Sequence, residues 1–201
     1  MNEKNVTSET NVSNVKGANK YVLFDYIIIA LLAAAGVVVK PYISTAVHFI
    51  STPLMIPGGT LAGGLYMLWL VLAFAVTGKH GSPSLVGLVQ AVTVMISGIS
   101  AMPWIVTLIS YTVSGVAADL VLLLSSFVFK VPFNKATAFF ACMAANIAGT
   151  LVVSKAIFAL PALYLAFTVV VAAFSGGVGG LLAWEVAHLL KRHGVLKRIQ
   201  R

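Results

Sequence analysis

The chain has 201 residues, 60% of them hydrophobic and 9% charged, with a mean hydropathy of +1.00 and a formal net charge of +8. A soluble domain carries far more surface charge, so these values exclude one. They indicate an all-α integral membrane protein in which six spans of about 20 residues use nearly the whole chain, with no room for a nucleotide-binding or extramembrane catalytic domain.

Residues 1–19 are rich in Asn, Ser, Thr, Val, Glu and Lys, with almost no large apolar side chain, and read as a disordered cytoplasmic tail. They resemble neither a signal peptide nor a lipidation signal. Asn5-Val6-Thr7 and Asn11-Val12-Ser13 fit the glycosylation pattern, but a cytoplasmic tail never meets that machinery. The membrane domain covers 20–190, with spans at about 21–39, 60–77, 84–101, 104–129, 136–153 and 160–190. Loops at 78–83 and 130–135 hold Gly, Pro, Lys and Asn, which break helices and face water. Pro103 and Pro161 open spans, where a missing N–H does least harm. A basic cytoplasmic tail follows at 191–201.

Six crossings put Lys4, Lys16, Lys20, Lys79, Lys130, Lys135, Lys191, Arg192, Lys197, Arg198 and Arg201 on one side, and only Lys40 and Lys155 on the other. Short Lys- and Arg-rich loops stay cytoplasmic. The split therefore predicts a multi-pass cell-membrane protein with both termini inside, and it makes the positive charge topogenic rather than a nucleic-acid footprint. The apolar stretch from Ile43 to Pro57 is short for a crossing. A seventh span would also force the basic C-terminal tail outside, so the stretch is expected to be an outer lid or re-entrant segment.

Small residues recur four apart at Ala30 and Ala34, Gly59 and Gly63, Ala145 and Gly149, and Gly176 and Gly180, a spacing that lets helix backbones approach closely in lipid. No internal repeat is evident, which disfavours an inverted-repeat carrier. Cys142 is alone in an apolar run, so no disulfide framework or Cys-based metal cluster is expected.

Asp119 stands about eleven residues before Lys130, roughly 16 Å from the inner edge at 1.5 Å per residue. A carboxylate at that depth needs a partner or a wet cavity. Tyr111 and Gly115 share its helix face, and Trp104 lies near the top of the same face. This stripe is a candidate pocket wall for a flat or cationic ligand; the competing reading is a structural acid tied to a neighbouring helix. Gln90 and Asn146 are amides within apolar spans and can contact a ligand or join helices. His48 falls in the lid-like stretch and could touch a ligand from above. Glu185 and His188 have the Glu-x-x-His spacing of di-iron bundles, but the chain lacks the second copy such sites need. No hydrolase triad, His-Glu-x-x-His or Walker-type loop occurs, so neither catalysis, a cofactor nor a metal site is expected, and an energised transporter would need its motor on another polypeptide.

Four stretches carry a family resemblance: Gly63-Gly64-Leu65-Tyr66-Met67-Leu68-Trp69; Lys79-His80-Gly81-Ser82-Pro83 with Gln90; Ser97-Gly98-Ile99-Ser100 leading to Pro103-Trp104; and Ser114-Gly115-Val116-Ala117-Ala118-Asp119-Leu120. Across roughly residues 25–130 the chain resembles the substrate-binding S component of an energy-coupling-factor (ECF) transporter, in the group assigned to thiamine or its hydroxymethylpyrimidine precursor. The resemblance implies a vitamin-like ligand held by His48, Gln90, Trp104, Tyr111, Asp119 and Asn146. It also implies a membrane coupling subunit docked on Ala30 and Ala34, and two cytosolic ATPase subunits. Gln90 stands where that group is expected to carry an acid, which counts against a positively charged ligand. The alternatives are a stand-alone channel or secondary carrier with Asp119 as its proton or ion site, and a scaffold whose polar residues only tie helices together.

Overall fold

The computed structural model describes residues 21–51, 58–99, 102–128, 130, 133–158 and 161–193, apart from the side chains of His48 and Ile50. Six helices follow one another: α1 (Leu23–Ser51), α2 (Gly58–Thr77), α3 (Ser82–Ser97), α4 (Trp104–Leu123), α5 (Lys135–Val153) and α6 (Ala162–Arg192). Each of α4 and α5 loosens at its C-terminal end into a single π-helical stretch, Leu124–Val128 and Ser154–Phe158. Five of the helices are long and apolar enough to cross a membrane. The sixth, α3, has 16 residues and rises about 24 Å, short of the roughly 30 Å hydrocarbon core. The bundle is the all-α membrane architecture that the composition demands.

Successive helices run in alternating directions. Asp119 near the end of α4 bonds to Gly81 and Ser84 at the start of α3, and Tyr21 before α1 reaches His80 between α2 and α3. The bundle therefore has a Gly81 end, holding Tyr21, the 78–82 turn, Asn134 and Arg192. It also has a Lys40 end, holding the last turns of α1 and the start of α2. Among the described residues, Lys79, Lys130, Lys135, Lys191 and Arg192 lie towards the Gly81 end, and Lys40 and Lys155 towards the other.

The expected separate lid is corrected in part. Residues 43–51 are not an independent segment: they continue α1, which runs 29 residues through Pro41. Proline ends helices in water, but a bundle tolerates it where Ser or Thr side chains re-bond the freed groups. Pro41 leaves the Val37 carbonyl without its usual N–H donor, yet the helix continues past it to Ser51. Residues 52–57 lie outside the described residues, as do the expected tails except for Lys191 to His193, which close α6.

The core centres on α2, whose Leu70, Val71, Leu72 and Ala73 are almost fully buried. Small residues set the tightest approaches. A Cβ at Gly64 would collide with the Ser175 carbonyl, and one at Gly179 with the Gly64 carbonyl, so α2 and α6 meet backbone to backbone. Gly176 and Gly180 press in the same way on α5, at Met143 and Phe139. Gly149 meets Ser114, and Gly63 meets the Asn146 amide. Gly59 has open space, and Ala30 and Ala34 are exposed. The regularly spaced small residues are therefore used inside the bundle everywhere except at Gly59 and on α1.

Candidate functional site

At the Gly81 end the polar groups close on one another. Gly81 has φ 92, a left-handed conformation that suits glycine, and it starts α3 without a side-chain cap of its own. Asp119 supplies the cap from α4. Its Oδ1 accepts from the Gly81 amide at 2.8 Å, and its Oδ2 accepts from the Ser84 amide at 2.9 Å and from the Ser84 hydroxyl. Free amides and the positive end of the helix dipole make this a natural place for a carboxylate. Gly115, one turn earlier, lets α4 lie against the Pro83 carbonyl and the Ser84 backbone. Alongside, Lys79 and Asp25 pair at 2.5 Å, and the Tyr21 hydroxyl donates to the His80 carbonyl at 2.7 Å. Burial, and then the neighbouring Asp119 charge, push the Tyr21 phenol up to about 12. The His80 ring lies against Phe74 and Phe127.

The Lys40 end is different in kind. The Lys40 ammonium hydrogen-bonds the Tyr111 hydroxyl, lies 4.7 Å from the Tyr111 ring centroid and 5.7 Å from that of Tyr66. The Tyr66 hydroxyl donates to the Lys40 carbonyl at 3.4 Å. One helical turn back along α1, Gly36 faces the Gln90 amide of α3 and the Trp69 ring of α2: a Cβ there would strike both. Gln90 is 3% exposed, and its Nε2 has no hydrogen-bond partner. Four helices thus contribute Lys40, Tyr66, Trp69, Gln90 and Tyr111 to one aromatic, donor-rich region, in which Gln90 is buried and the others are half-buried.

The sequence-derived candidates distribute unevenly. Tyr111 and Gln90 lie in this cluster. Asp119 lies at the opposite end as a helix cap. Asn146 is 1% exposed, and its Nδ2 donates to the carbonyls of Thr60 (3.2 Å) and Ala172 (2.8 Å), joining α5 to α2 and α6. Trp104 is 61% exposed at the start of α4, a depth at which aromatics favour the membrane interface. His48 is on α1, two turns beyond Lys40, and its side chain lies outside the described residues. Glu185 pairs loosely with Lys135 at 4.0 Å on the surface, and His188 stacks on Trp184. Sequence reasoning missed Lys40, Tyr66 and Trp69 as site residues. Their one signal is a Lys beside an apolar run, hidden because the sequence pattern places the end of the first span at about residue 39, whereas the helix continues to Ser51. Ala30 and Ala34 belong to an outward face of α1 that also carries Ile27, Leu31 and Val38.

Residues 24–150 match the family model described as ABC-type cobalt transport system, permease component. The chain belongs to that family. The fold is that of a solved structure described as an S-component of an ECF transporter, with a TM-score of 0.69 at 18% sequence identity, covering 88% of this chain and 89% of that one. No curated protein matches the chain. Membership in a transport family accords with a non-enzymatic, multi-pass membrane subunit.

Proposed function

We propose that the chain is the substrate-capturing S component of an ECF-type importer. It binds a small vitamin or vitamin precursor and hands it on for ATP-driven uptake through a membrane coupling subunit and two cytosolic ATPase subunits. The observation that carries this reading is the end-to-end likeness to an S-component fold, 88% of one chain against 89% of the other. The family match supports membership of an ABC-type system, and the four sequence stretches favour a thiamine-related ligand. Although the family description names cobalt, the Lys40 cluster is built of amine, phenol, indole and amide groups. Among the described residues no three His, Cys, Asp or Glu side chains come together. An organic ligand suits that chemistry better than a metal ion.

The pocket is read at the Lys40 end, facing outwards, with the Gly81 end in the cytoplasm. Five of the seven described Lys and Arg residues support that orientation. Ala30 and Ala34 serve as the docking surface, because their face of α1 is left uncovered by the bundle. Asp119 fits a proton or ion site poorly, since both of its oxygens already serve the start of α3.

Reconstitution tests the reading. Liposomes holding the chain with a coupling subunit and ATPases should take up radiolabelled thiamine-related compounds only with ATP inside, and uptake by the chain alone would overturn the proposal. Ala34→Leu should abolish co-purification with the coupling subunit while ligand affinity stays intact. Lost affinity with retained co-purification would remove α1 from the docking role.

A further inference from the structure

Two polar groups at the Lys40 end are incompletely partnered: the half-buried Lys40 ammonium, which has a hydroxyl but no counter-charge among the described residues, and the buried Gln90 amide. The Lys40 ammonium has two tyrosines around it, and among the described residues no carboxylate. The three described acids are all elsewhere: Asp25 with Lys79, Asp119 on the start of α3, and Glu185 beside Lys135. An ammonium held inside a membrane bundle without a counter-charge is costly and marks a functional group. Gln90 is 3% exposed, and its amide nitrogen has no acceptor. A buried amide with a vacant bond is equally unusual and is explained by an absent partner. Gln90 meets α1 at Gly36, one helical turn before Lys40. The absence of a Cβ at Gly36 lets the Gln90 amide and the edge of Trp69 pack against the α1 backbone, where a Cβ would collide with both.

Both groups ask for the same thing. An ammonium and an amide N–H are donors, and the Tyr111 hydroxyl, which accepts from Lys40, can donate as well. The rings of Tyr66, Trp69 and Tyr111 give flat apolar surface beside them. We infer that Lys40, Gln90, Tyr66, Trp69 and Tyr111 form the subsite for an anionic oxygen group, a carboxylate or phosphate attached to a flat ring, on the molecule that this protein captures. The inference rests on the S-component reading and narrows it: the ligand is an anion rather than a cation. The bound anion neutralises Lys40 and accepts from the Gln90 amide, so the two vacancies close together. A cationic ligand would instead meet Lys40 with like charge in a poorly screened interior.

The test compares one scaffold in three charge states: thiamine as the cation, its hydroxymethyl aminopyrimidine as the neutral form, and the corresponding aminopyrimidine carboxylate as the anion. The full chain in phosphatidylcholine nanodiscs is titrated with each by calorimetry. The expected order is carboxylate tightest, then neutral, then thiamine. Lys40→Met should weaken the carboxylate by at least about tenfold, the size of a lost charge-assisted bond, and weaken the neutral form by less, so that the preference for the carboxylate is lost. Lys40→Arg should keep the preference, and Gln90→Leu should reduce it in part. Thermal unfolding of each variant confirms that the fold is intact. Thiamine binding as tightly as the carboxylate, or a Lys40→Met protein that keeps the preference, would overturn the inference and leave the S-component reading standing. No binding of any of the three would overturn the thiamine-related reading and this inference with it. Repeating the titration with phosphatidylglycerol in the disc separates the other source of an anion. Displacement of the carboxylate by that lipid would assign Lys40 to a headgroup and overturn the small-molecule subsite; unchanged affinity supports it.

Discussion

The two ends of the bundle solve the same problem in opposite ways. At the Gly81 end Asp25 pairs with Lys79, Asp119 accepts from Gly81 and Ser84, and Tyr21 reaches His80. These contacts bind the start of α1, the turn before α3 and the end of α4 into one polar clamp. At the Lys40 end a cation and a buried amide face aromatic rings without an acid among the described residues. Both ends carry charge within an apolar protein. Lys40 also joins helices through Tyr66 and Tyr111, but only the first end pairs its lysine with an acid. The contrast teaches that the two ends differ in their charges: the acids and Lys79 of the first end are paired or capped, and its unbonded His80 Nδ1 is packed between aromatic rings, whereas Lys40 has no counter-charge among the described residues.

Asp119 gives the hardest way to break that contrast. Asp119→Ala would strand two amides at the start of α3 and remove a charge from the helix dipole. A loss of about 2–3 kcal/mol is expected, in keeping with charge-assisted bonds to a buried acceptor, and is measured by thermal unfolding of the detergent-purified protein. Ligand affinity of the folded fraction should be unchanged. A variant as stable as the parent but without uptake would make Asp119 an ion site after all, and the two ends would no longer differ in kind.

Gln90→Leu sharpens the other side. It replaces an unpaired buried amide by an apolar group of similar size, so stability in the absence of ligand should rise by about 1 kcal/mol, the usual penalty of an unsatisfied group. Stability gained while affinity is lost identifies a group kept for binding. A destabilised Gln90→Leu protein would instead put Gln90 in the same structural class as Asn146, whose amide already holds α2 and α6.

Hydropathy and charge made the membrane architecture legible, because spans are read from composition along the chain. The bundle, the short loops and the four-residue spacing of small residues all follow from one-dimensional pattern. What stayed hidden needs the third dimension. Asp119 meets residues 38 and 35 positions earlier, so no local spacing reveals that it caps α3 rather than lining a pocket. Trp104 shares a helical face with Tyr111, yet it lies at the end of α4 where nothing covers it. The stretch from Ile43 to Pro57 is short for a crossing, and a seventh span would put the basic tail outside, so the one-dimensional pattern ends the first span near residue 39, with Lys40 as a loop charge and Ile43 onwards as a lid. In the folded chain Pro41 is inside α1, and Lys40 turns inwards against Tyr66 and Tyr111. A proline in water is a reliable stop; the same residue inside a bundle is not.

The smallest expected effect probes the clamp through a single hydroxyl. Tyr21→Phe removes the bond to the His80 carbonyl and should cost about 0.5–1 kcal/mol at neutral pH. The pH dependence fixes its origin. In the folded protein the phenol is pushed up to about 12 from its ordinary value of 10.0, first by burial and then by Asp119. Folding therefore favours the neutral form. Its contribution is complete below about pH 10 and is lost as the pH rises towards 12. Tyr21→Phe has no phenol to ionise, so the stability gap between parent and variant should narrow steadily across that window, followed by thermal unfolding at stepped alkaline pH. A gap that stays constant to pH 12 would mean that the phenol does not titrate within the clamp, and that the Gly81 end is held by its ion pair and helix cap alone.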